Sequence, residues 1–329
     1  MTSTLSRPPY IPDVAAVIDT LSGQITMTLL PEGIEAGRAH TATFREDLSG
    51  FAITRRDLVI PGFGGTEIEL SIFVPDGTAS DAPCIFHLHG GGMVMGDRFT
   101  GISAVLPWAI DHGAILTTVE YRLAPEHPDP TPVEDCYAAL VWISDHAGEL
   151  GIDGTRILVT GNSAGGGLAA GISLMARDRR GPAILGQLLV YPMLDDRDST
   201  TSTLQFDGVG LWDRESNVTA WNALLGDRRG THEVSIYAAP ARATYLSGLP
   251  PTYIDVASAE VFRDENVAFA SQIWADGGVA ELHVWPGGTH GFELLAPRSR
   301  IAEQAARTRN SWLRDMFDGD STARSEKAG

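Results

Sequence analysis

One serine of the sequence lies in a pattern that is typical of an activated nucleophile. Gly161, Ser163 and Gly165 have the spacing G-x-S-x-G, which places a serine on a sharp turn between a strand and a helix. Glycines are needed beside such a turn because side chains there would collide with the neighbouring strand and helix. The helix that follows would point its N-terminal N–H groups at the serine. A plain turn rich in glycine and serine has the same spacing, so a catalytic interpretation needs partners elsewhere in the chain.

Two later loops contain residues that could activate Ser163. His290 lies in a glycine-rich loop directly after a predicted strand at residues 280–285, and the carboxylates of residues 258–265 follow a predicted strand at 252–257. The carboxyl ends of parallel strands share one edge of a sheet, so we expect these loops to meet at the serine. His290 would take the serine proton, and a carboxylate would orient the imidazole and stabilise its charged form.

A third loop supplies a candidate site for the negative charge that forms on an acyl substrate. Residues 89–92 read His-Gly-Gly-Gly after a predicted buried strand, and glycines there let backbone N–H groups approach an oxyanion closely. We expect Gly90 and Gly91 to form an oxyanion hole with Ala164, the residue after the serine. Each such donor typically contributes ~2.7–4 kcal/mol to stabilisation of the transition state.

Strands that alternate with helices predict a sheet able to position these loops. The pattern is typical of an α/β fold with a mostly parallel, eight-stranded sheet and helices on both faces. The predicted strands are residues 51–60, 66–74, 82–88, 114–119, the apolar run at 157–159, 187–193, 252–257 and 280–285. The predicted helices are residues 14–21, about 34–44, 133–143, the turn at Ser163 to about 177, 267–274 and 301–317.

The sequence divides into one large unit and segments that add to it. Residues 51–318 are predicted to form the α/β domain, and residues 1–50 a separate N-terminal element that is too small to fold alone. Residues 195–250 break the alternation of strands and helices and exceed a normal connection, which predicts an inserted, partly helical cap. Residues 319–329 are short and polar and are expected to be disordered.

Composition argues against several classes of function. The 329 residues carry a net charge of −18 without a basic cluster, which argues against nucleic acid and anionic membranes as partners. No apolar run reaches the roughly 18 residues of a membrane helix, and the N-terminus lacks an apolar stretch of signal-peptide length. Cys84 and Cys136 are predicted to be reduced core thiols of a cytoplasmic protein. C-x-x-C and H-E-x-x-H are absent from the sequence, so we expect no dedicated metal site.

Taken together, these motifs resemble those of the hormone-sensitive-lipase-like esterases, the bacterial family IV of the α/β-hydrolase superfamily. The motifs that carry the resemblance, in the family's order, are residues 89–92, 121–126, 161–166, 263–265 and 290–292. The resemblance implies the α/β-hydrolase fold and hydrolysis of carboxylic esters through an acyl-enzyme, without a cofactor. It also implies that residues 1–50 and 195–250 form a cap over the acyl pocket.

Two positions depart from the family pattern. Asn162 stands before the nucleophile, where the family usually has Asp or Thr, and this change leaves the turn geometry intact. Glu260 lies three residues before the Arg-Asp-Glu motif, where the family usually has the triad Asp. Glu is one methylene longer and can accept the same hydrogen bond from an imidazole. We therefore expect Glu260 to be the triad acid, with Asp255 and Asp264 as the alternatives.

The resulting prediction is a serine carboxylesterase that acts on small esters with short or compact acyl groups through Ser163, Glu260 and His290. Hydrolysis of lactones or amides by the same residues is an alternative. A non-catalytic ligand receptor is another, although receptors of this family lack the histidine that is present here. The final strand, residues 280–285, would be an edge available for a homodimer. Candidate pocket residues, each of which could instead belong to the core, are Met93, Met95, Tyr191, Phe206, Trp212 and Phe292.

Overall fold

Eight strands form one sheet at the centre of the molecule. The computed structural model describes residues 5–22, 28–43 and 47–327. The strands are β1 (Ile53–Pro61), β2 (Glu67–Pro75), β3 (Ala82–Leu88), β4 (Ile115–Val119), β5 (Ile152–Asn162), β6 (Gly186–Val190), β7 (Thr252–Ala257) and β8 (Ala280–Trp285). Their order across the sheet is β1-β2-β4-β3-β5-β6-β7-β8. The pairs β1–β2 and β2–β4 are antiparallel, and all other neighbouring strands are parallel.

The predicted sheet is confirmed, with changes at the ends of two strands. β5 begins at Ile152, before the apolar run that marked it in the sequence. β6 ends at Val190, whereas its strand was expected to reach Met193. The reason is local, because Tyr191 adopts a φ of +37° and turns the chain away from the sheet. Every residue of β3 is buried, as expected for a parallel strand that is covered on both faces.

Helices cover both faces of this sheet. The α-helices are α1 (Pro12–Ser22), α2 (Ile34–Thr43), α3 (Ile102–Asp111), α4 (Thr131–Asp145), α5 (Ala147–Leu150), α6 (Ala164–Arg179), α7 (Thr201–Gln205), α8 (Arg214–Leu225), α9 (Arg263–Ala275), α10 (Phe292–Leu295) and α11 (Arg300–Lys327). Short 3₁₀ helices lie at Pro31–Gly33, Phe63–Gly65, Gly226–Arg228 and Pro240–Arg242.

The helices on the two faces pack against different residues of the same strands. On one face, α4 and α6 pack against a cluster that includes Phe86 and Val159. On the other face, α3 and α11 pack against a cluster that includes Ile85 and Leu158. Successive residues of a strand point to opposite faces, so the two clusters take alternate residues of the same strands.

The last helix is longer than the sequence indicated. α11 continues to Lys327, so residues 319–327 are helical, in contrast to the expected disorder. No proline follows Arg300, so no residue lacks the N–H that the helix needs to continue. Residues 328–329 lie outside the described residues, as does Phe44 at the end of the predicted second helix. In the described part of the chain, no helix combines the length and the apolar character needed to cross a bilayer.

The N-terminal segment is fastened to loops at the carboxyl edge of the sheet. The Ile11 N–H donates to the carbonyl oxygen of Gly287 at 2.9 Å, and Val14 in α1 packs in a cluster with Trp285 at the end of β8. The Arg38 guanidinium on α2 makes two hydrogen bonds to the Glu126 carboxylate, at 2.8 and 2.7 Å. The described residues of this segment therefore pack on the rest of the molecule.

The residues between β6 and β7, which the sequence predicts to be an inserted cap, contain helices. They include α7 and α8, and the Asp213 carboxylate caps α8 by accepting the Ser216 N–H at 2.8 Å. The Thr28 hydroxyl donates to the same carboxylate at 2.6 Å, and the Leu29 N–H donates to the Ser216 hydroxyl at 2.8 Å. The insertion and the N-terminal segment are thus in direct contact.

Candidate active site

Ser163 occupies a turn that is as sharp as the sequence pattern indicated. β5 ends at Asn162 and α6 begins at Ala164, so the serine alone connects strand to helix. Its φ is +57° and its ψ is −122°, a conformation that costs roughly 1–3 kcal/mol for a residue with a side chain. The turn is held by its backbone, since the Ser163 N–H donates to the Val190 carbonyl at 2.9 Å and its carbonyl accepts the Met193 N–H at 3.0 Å.

The flanking glycines are required by contacts and not only by flexibility. A Cβ on Gly161 would lie 2.2 Å from the carbonyl oxygen of Gly165, and a Cβ on Gly165 would lie 2.0 Å from the carbonyl oxygen of Leu88. Both distances are far shorter than a van der Waals contact, and both involve backbone atoms that cannot move aside. The strand, the turn and the helix therefore pack too closely for any side chain at these positions.

Ser163, His290 and Glu260 form a continuous hydrogen-bonded chain. The Ser163 Oγ lies 3.0 Å from His290 Nε2, and His290 Nδ1 lies 2.6 Å from Glu260 Oε2. Glu260 is 1% exposed and His290 is 7% exposed. With the imidazole proton on Nδ1, the imidazole donates to the carboxylate and its Nε2 is left to accept the serine hydroxyl proton. This is the geometry that general-base activation of a serine requires.

The surroundings fix the imidazole plane and the carboxylate behind it. The rings of Tyr191 and Phe262 contact His290 edge-on, with centroid distances of 4.6 and 5.1 Å. Burial raises the pKa of Glu260, the contact with His290 lowers it, and the charge of Glu293 raises it further. A buried carboxylate of this kind is costly unless it is paired, and the imidazole supplies that pairing.

The other two carboxylates considered as the acid have other partners. Asp255 accepts hydrogen bonds from Arg309 Nε at 2.8 Å and from Trp285 Nε1 at 3.0 Å. Asp264 pairs with Arg263 at 2.7 Å and accepts the Ser202 N–H at 2.7 Å. Of the three acids, Glu260 is the one for which the structure gives a contact with the histidine.

The glycine loop lies directly beside the serine. A Cβ on Gly90 would come within 3.4 Å of the Ser163 Cβ, and Gly91 has a φ of +111° that favours glycine. Ala164 is the first residue of α6, and N–H groups in the first turn of a helix have no acceptor within it. Gly90 and Ala164 are therefore both next to Ser163, and Gly91 adjoins Gly90 in the same loop.

His89 supports this loop from behind. Its ring stacks on Tyr121 with a centroid distance of 4.1 Å, and its Nδ1 lies 2.8 Å from the carbonyl oxygen of Gly90. The Tyr121 hydroxyl donates to the His89 carbonyl oxygen at 2.8 Å. These contacts hold the His89 ring against the glycine loop. They are consistent with a structural role for His89 rather than that of a catalytic base.

Comparison with known proteins decides the family. A family model described as alpha/beta hydrolase fold matches residues 85–294, more than half of the chain. The chain belongs to the α/β-hydrolase family. The resemblance to hormone-sensitive-lipase-like esterases that the motifs indicated is confirmed by relatives whose alignments span most of both chains.

Three of these similar proteins show how far the likeness extends. Esterase LipI of Mycobacterium tuberculosis is 34% identical over 289 residues, which cover 87% of this chain and 88% of the relative. Carboxylesterase NlhH of the same organism is 33% identical over 307 residues, which cover 91% and 94%. The solved structure of a bacterial heroin esterase is 38% identical, has a TM-score of 0.87, and covers 94% of this chain and 98% of its own.

Three of the predicted pocket residues lie beside the reactive groups of this α/β hydrolase. The Tyr191 ring is in edge-on contact with His290. The Trp212 ring lies against the glycine loop, since a Cβ on Gly92 would be 2.7 Å from Trp212 Cη2. The Met95 side chain lies next to Gly91. Trp212 comes from the insertion, so the insertion reaches the glycine loop.

The other three predicted pocket residues pack inside the core. Met93 and Phe206 are each 1% exposed, and Phe292 is completely buried. Phe292 belongs to the cluster that joins α1 to the end of β8, and Phe206 contacts Tyr10 with a ring-centroid distance of 6.4 Å. All three side chains therefore make core contacts, and their contribution to a substrate pocket stays a prediction.

Sequence reasoning did not anticipate a buried ionic group next to this site. Arg309 on α11 binds both Asp255 on β7 and Glu293 on α10. The sequence contains a signal for this group, namely two charged residues at core positions. Asp255 interrupts an apolar strand, and Arg309 continues the buried helical stripe of Ile301 and Ala305. Charged residues at such core positions are usually paired. Among the described residues, no group of three or more His, Cys, Asp or Glu side chains is arranged to hold a metal ion.

Proposed function

We propose that this α/β hydrolase is a serine carboxylesterase that hydrolyses small esters with short or compact acyl groups through an acyl-enzyme. The observation that carries the proposal is the chain of hydrogen bonds from Ser163 through His290 to Glu260, at 3.0 and 2.6 Å. Relatives named esterase and carboxylesterase support the same class of reaction. The reaction needs only groups that the chain itself supplies.

The proposed reaction proceeds in two halves. In the first, Ser163 Oγ attacks the ester carbonyl while His290 Nε2 takes its proton, and the imidazolium is stabilised by Glu260. His290 then gives that proton to the leaving alkoxide, so that an alcohol departs and the acyl group stays on the serine. In the second half, His290 takes a proton from water, hydroxide adds to the acyl carbonyl, and the carboxylic acid leaves as the serine recovers its proton.

Backbone N–H groups would stabilise the oxyanion in both halves. We assign this role to Gly90, Gly91 and Ala164, because the glycine loop approaches the Ser163 side chain and α6 begins with its N-terminus at the serine. Such donors act on charge that exists only near the transition state, so they lower the barrier without tightening substrate binding. The negative charge also lies at the favourable end of the helix dipole.

The preference for short acyl groups follows from the position of the insertion. We assign residues 1–50 and 195–250 to a cap over the acyl site, with residues 51–318 as the catalytic domain. In support, the Trp212 ring packs on Gly92 and the insertion contacts the N-terminal segment through Asp213 and Thr28. Bulky side chains against the glycine loop leave less room for a long acyl chain.

A chain-length series tests this proposal. Hydrolysis of p-nitrophenyl esters from acetate to palmitate is expected to be fastest for the short acyl chains and to vanish in Ser163→Ala. Folding of the variant is checked by circular dichroism. Binding of small acyl ligands without turnover of any ester in the wild type would contradict the proposal and favour a receptor, whereas turnover limited to lactones or amides would change the substrate class.

We also propose that the protein is a cytoplasmic homodimer that binds neither nucleic acid nor membranes. The net charge of −18 supports the absence of these two partners, and the cysteines Cys84 and Cys136 are buried and unbridged, as in a reducing compartment. β8 is an edge strand that exposes Val284, and edge strands offer unpaired backbone groups to a second copy. Sedimentation of the wild type and of Val284→Lys tests the dimer, which the lysine is expected to weaken.

A further inference from the structure

A buried ionic cluster lies directly behind the candidate base His290. Arg309 on α11 is 6% exposed. Its Nε and Nη2 donate to the two carboxylate oxygens of Asp255 at 2.8 and 3.1 Å, and its Nη1 donates to Glu293 Oε1 at 3.1 Å. Burial lowers the pKa of Arg309, but the charges of Asp255 and Glu293 outweigh this effect and raise it. One permanent cation thus joins carboxylates of β7 and α10, and we call these three residues the Arg309 cluster.

The Arg309 cluster holds both ends of the loop that carries His290. This loop leaves β8 at Trp285 and reaches Glu293 in α10. Trp285 Nε1 donates to Asp255 Oδ2 at 3.0 Å, and Glu293 is bound by Arg309 directly. Since His290 precedes Glu293 by only three residues, a shift of either end would move the imidazole relative to Ser163.

The cluster also holds one wall of the imidazole. The Tyr191 N–H donates to the carbonyl oxygen of Asp255 at 2.6 Å. Tyr191 has a φ of +37°, a strained conformation that persists only when its surroundings impose it. Its ring is the one that contacts His290 edge-on at 4.6 Å. Asp255 therefore supports the imidazole indirectly in two ways. Its side chain binds Trp285 and Arg309, and its backbone holds Tyr191, whose ring contacts the imidazole.

The charge behind the imidazole is balanced by Arg309. Glu293 Oε2 is buried, and the charge of Glu293 raises the pKa of both Glu260 and Tyr191. Without the guanidinium, the carboxylates of Asp255 and Glu293 would lie behind the triad without the cation that binds them both. Titratable and charged groups lie on each element near His290. They are Glu260, Tyr191, Glu293, Asp255 and Arg309. Next to Thr289 they also include Tyr10 and Arg7.

We propose that Arg309 is a positioning residue for His290, which fixes the histidine loop through Asp255 and Glu293 and balances the carboxylate charge behind the imidazole. This inference rests on the proposed function of Ser163, His290 and Glu260. Arg309 itself touches no reacting atom. It acts by keeping Nε2 aligned with the serine hydroxyl and by placing a positive charge beside the two carboxylates.

The test is the pH dependence of p-nitrophenyl butyrate hydrolysis by the full chain. Values of kcat and KM are measured from pH 5 to 9 for the wild type, Arg309→Lys, Arg309→Met and Glu293→Gln. Arg307→Met is the matched control, because Arg307 lies on the same helix with its side chain 70% exposed. The acid limb of kcat/KM reports the protonation of the base in the free enzyme.

The two kinds of variant are expected to shift the acid limb in opposite directions. Arg309→Met leaves negative charge behind the imidazole, so the limb moves to higher pH by about half a unit or more, while Glu293→Gln moves it to lower pH. Arg309→Met also lowers kcat at least about tenfold with KM within about threefold, because alignment rather than binding is lost. Arg309→Lys keeps the charge and restores the limb, but it recovers kcat only in part because lysine lacks the planar fork.

Several outcomes would overturn the inference. An active wild type whose acid limb is unchanged in both Glu293→Gln and Arg309→Met would do so, as would a kcat of Arg309→Met equal to that of the control. If Arg309→Met does not fold, the shift in Glu293→Gln and the partial kcat of Arg309→Lys decide the matter. A wild type that hydrolyses no ester would overturn the proposed function itself, a result that is visible without any variant.

Discussion

The chemistry of single residues depends on which atoms carry protons. His290 Nε2 is 3.0 Å from Ser163 Oγ and Nδ1 is 2.6 Å from Glu260 Oε2, so the histidine can accept a proton on one side only while it donates on the other. Glu260 enforces this tautomer because a carboxylate can only accept. A neutral amide at position 260 could instead donate to Nδ1 and so place the imidazole proton on the wrong nitrogen.

Replacement of Glu260 therefore tests whether this carboxylate orients the imidazole. Glu260→Gln is expected to lower kcat for p-nitrophenyl butyrate by about 10²–10⁴-fold with little change in the circular dichroism spectrum. Asp264→Asn is the matched control, because Asp264 pairs with Arg263 and caps α7 without touching the histidine. Near-normal turnover in Glu260→Gln, or an equal loss in the control, would remove Glu260 from the triad.

The sequence predicted these residues unevenly, for physical reasons. Ser163 and His290 lie in local glycine-rich patterns that a turn imposes on neighbouring residues, so they are visible in a short stretch of sequence. Glu260 has no such local constraint and was found only through its offset from a family motif. Arg309 is separated from Asp255 by 54 residues, and no spacing rule connects a strand to a distant helix. Its pairing became visible only when the two elements were packed together.

At the scale of elements, strand β5, the serine turn and helix α6 act as one rigid piece. The turn contains a single residue, and the backbone contacts across it leave no room for a Cβ at Gly161 or Gly165. Rigidity here has a chemical purpose, since a general base must find the serine hydroxyl within hydrogen-bonding distance. The strain at Ser163 is balanced by the packing of the strand and the helix.

Two glycine substitutions compare a glycine that close packing requires with one that it does not. Gly161→Ala puts a Cβ 2.2 Å from a backbone oxygen, so we expect a loss of at least about 3 kcal/mol in the free energy of unfolding. Gly148 lies in helix α5, where a Cβ would have nothing within 4 Å of it, so Gly148→Ala is expected to stabilise by about 0.5–1 kcal/mol. Urea denaturation measures both, and equal effects of the two substitutions would contradict the packing argument.

For the whole molecule, the sheet buries polar residues that the reaction does not use. His87 lies in β3, is 2% exposed, and neither of its ring nitrogens makes a close hydrogen bond within the described residues. Its neighbours on the adjoining strands, Thr118 and Thr160, are buried as well. Burial, with a smaller contribution from His89, lowers the pKa of His87 to about 3. Between pH 6.5 and about 3, the His87 imidazole is therefore neutral in the folded protein and protonated in the unfolded chain.

This difference predicts how stability depends on pH. His87 has a lower pKa in the folded state than its ordinary 6.5, so its contribution is fully present above pH 6.5 and is lost as the pH falls toward 3. Between pH 6.5 and 5 the loss from this residue is roughly 2 kcal/mol. Urea denaturation at pH 7.5 and 5.0 is expected to show a smaller pH dependence for His87→Leu than for the wild type. The same pH dependence in both proteins would contradict the prediction.

The overall architecture was easier to predict than the end of its last helix and the roles of single aromatic side chains. Strands of apolar residues separated by helical patterns specify a covered parallel sheet, because few other arrangements bury both faces. The length of α11 was missed because its final turns are polar, and polar residues look alike in an exposed helix and in a disordered tail. Phe206 and Phe292 show another limit, because an aromatic side chain near such a motif can line a pocket or pack in the core, and the sequence does not distinguish the two.

Covalent labelling of Ser163 tests its proposed role as the nucleophile. The wild type is treated with a fluorophosphonate, and the modified peptide and the remaining esterase activity are followed together by mass spectrometry and p-nitrophenyl butyrate hydrolysis. We predict one adduct per chain, located on Ser163, with activity lost in proportion to labelling and no adduct in Ser163→Ala. An enzyme that keeps its activity when Ser163 is fully labelled, or that is inactivated by an adduct on another residue, would contradict the account.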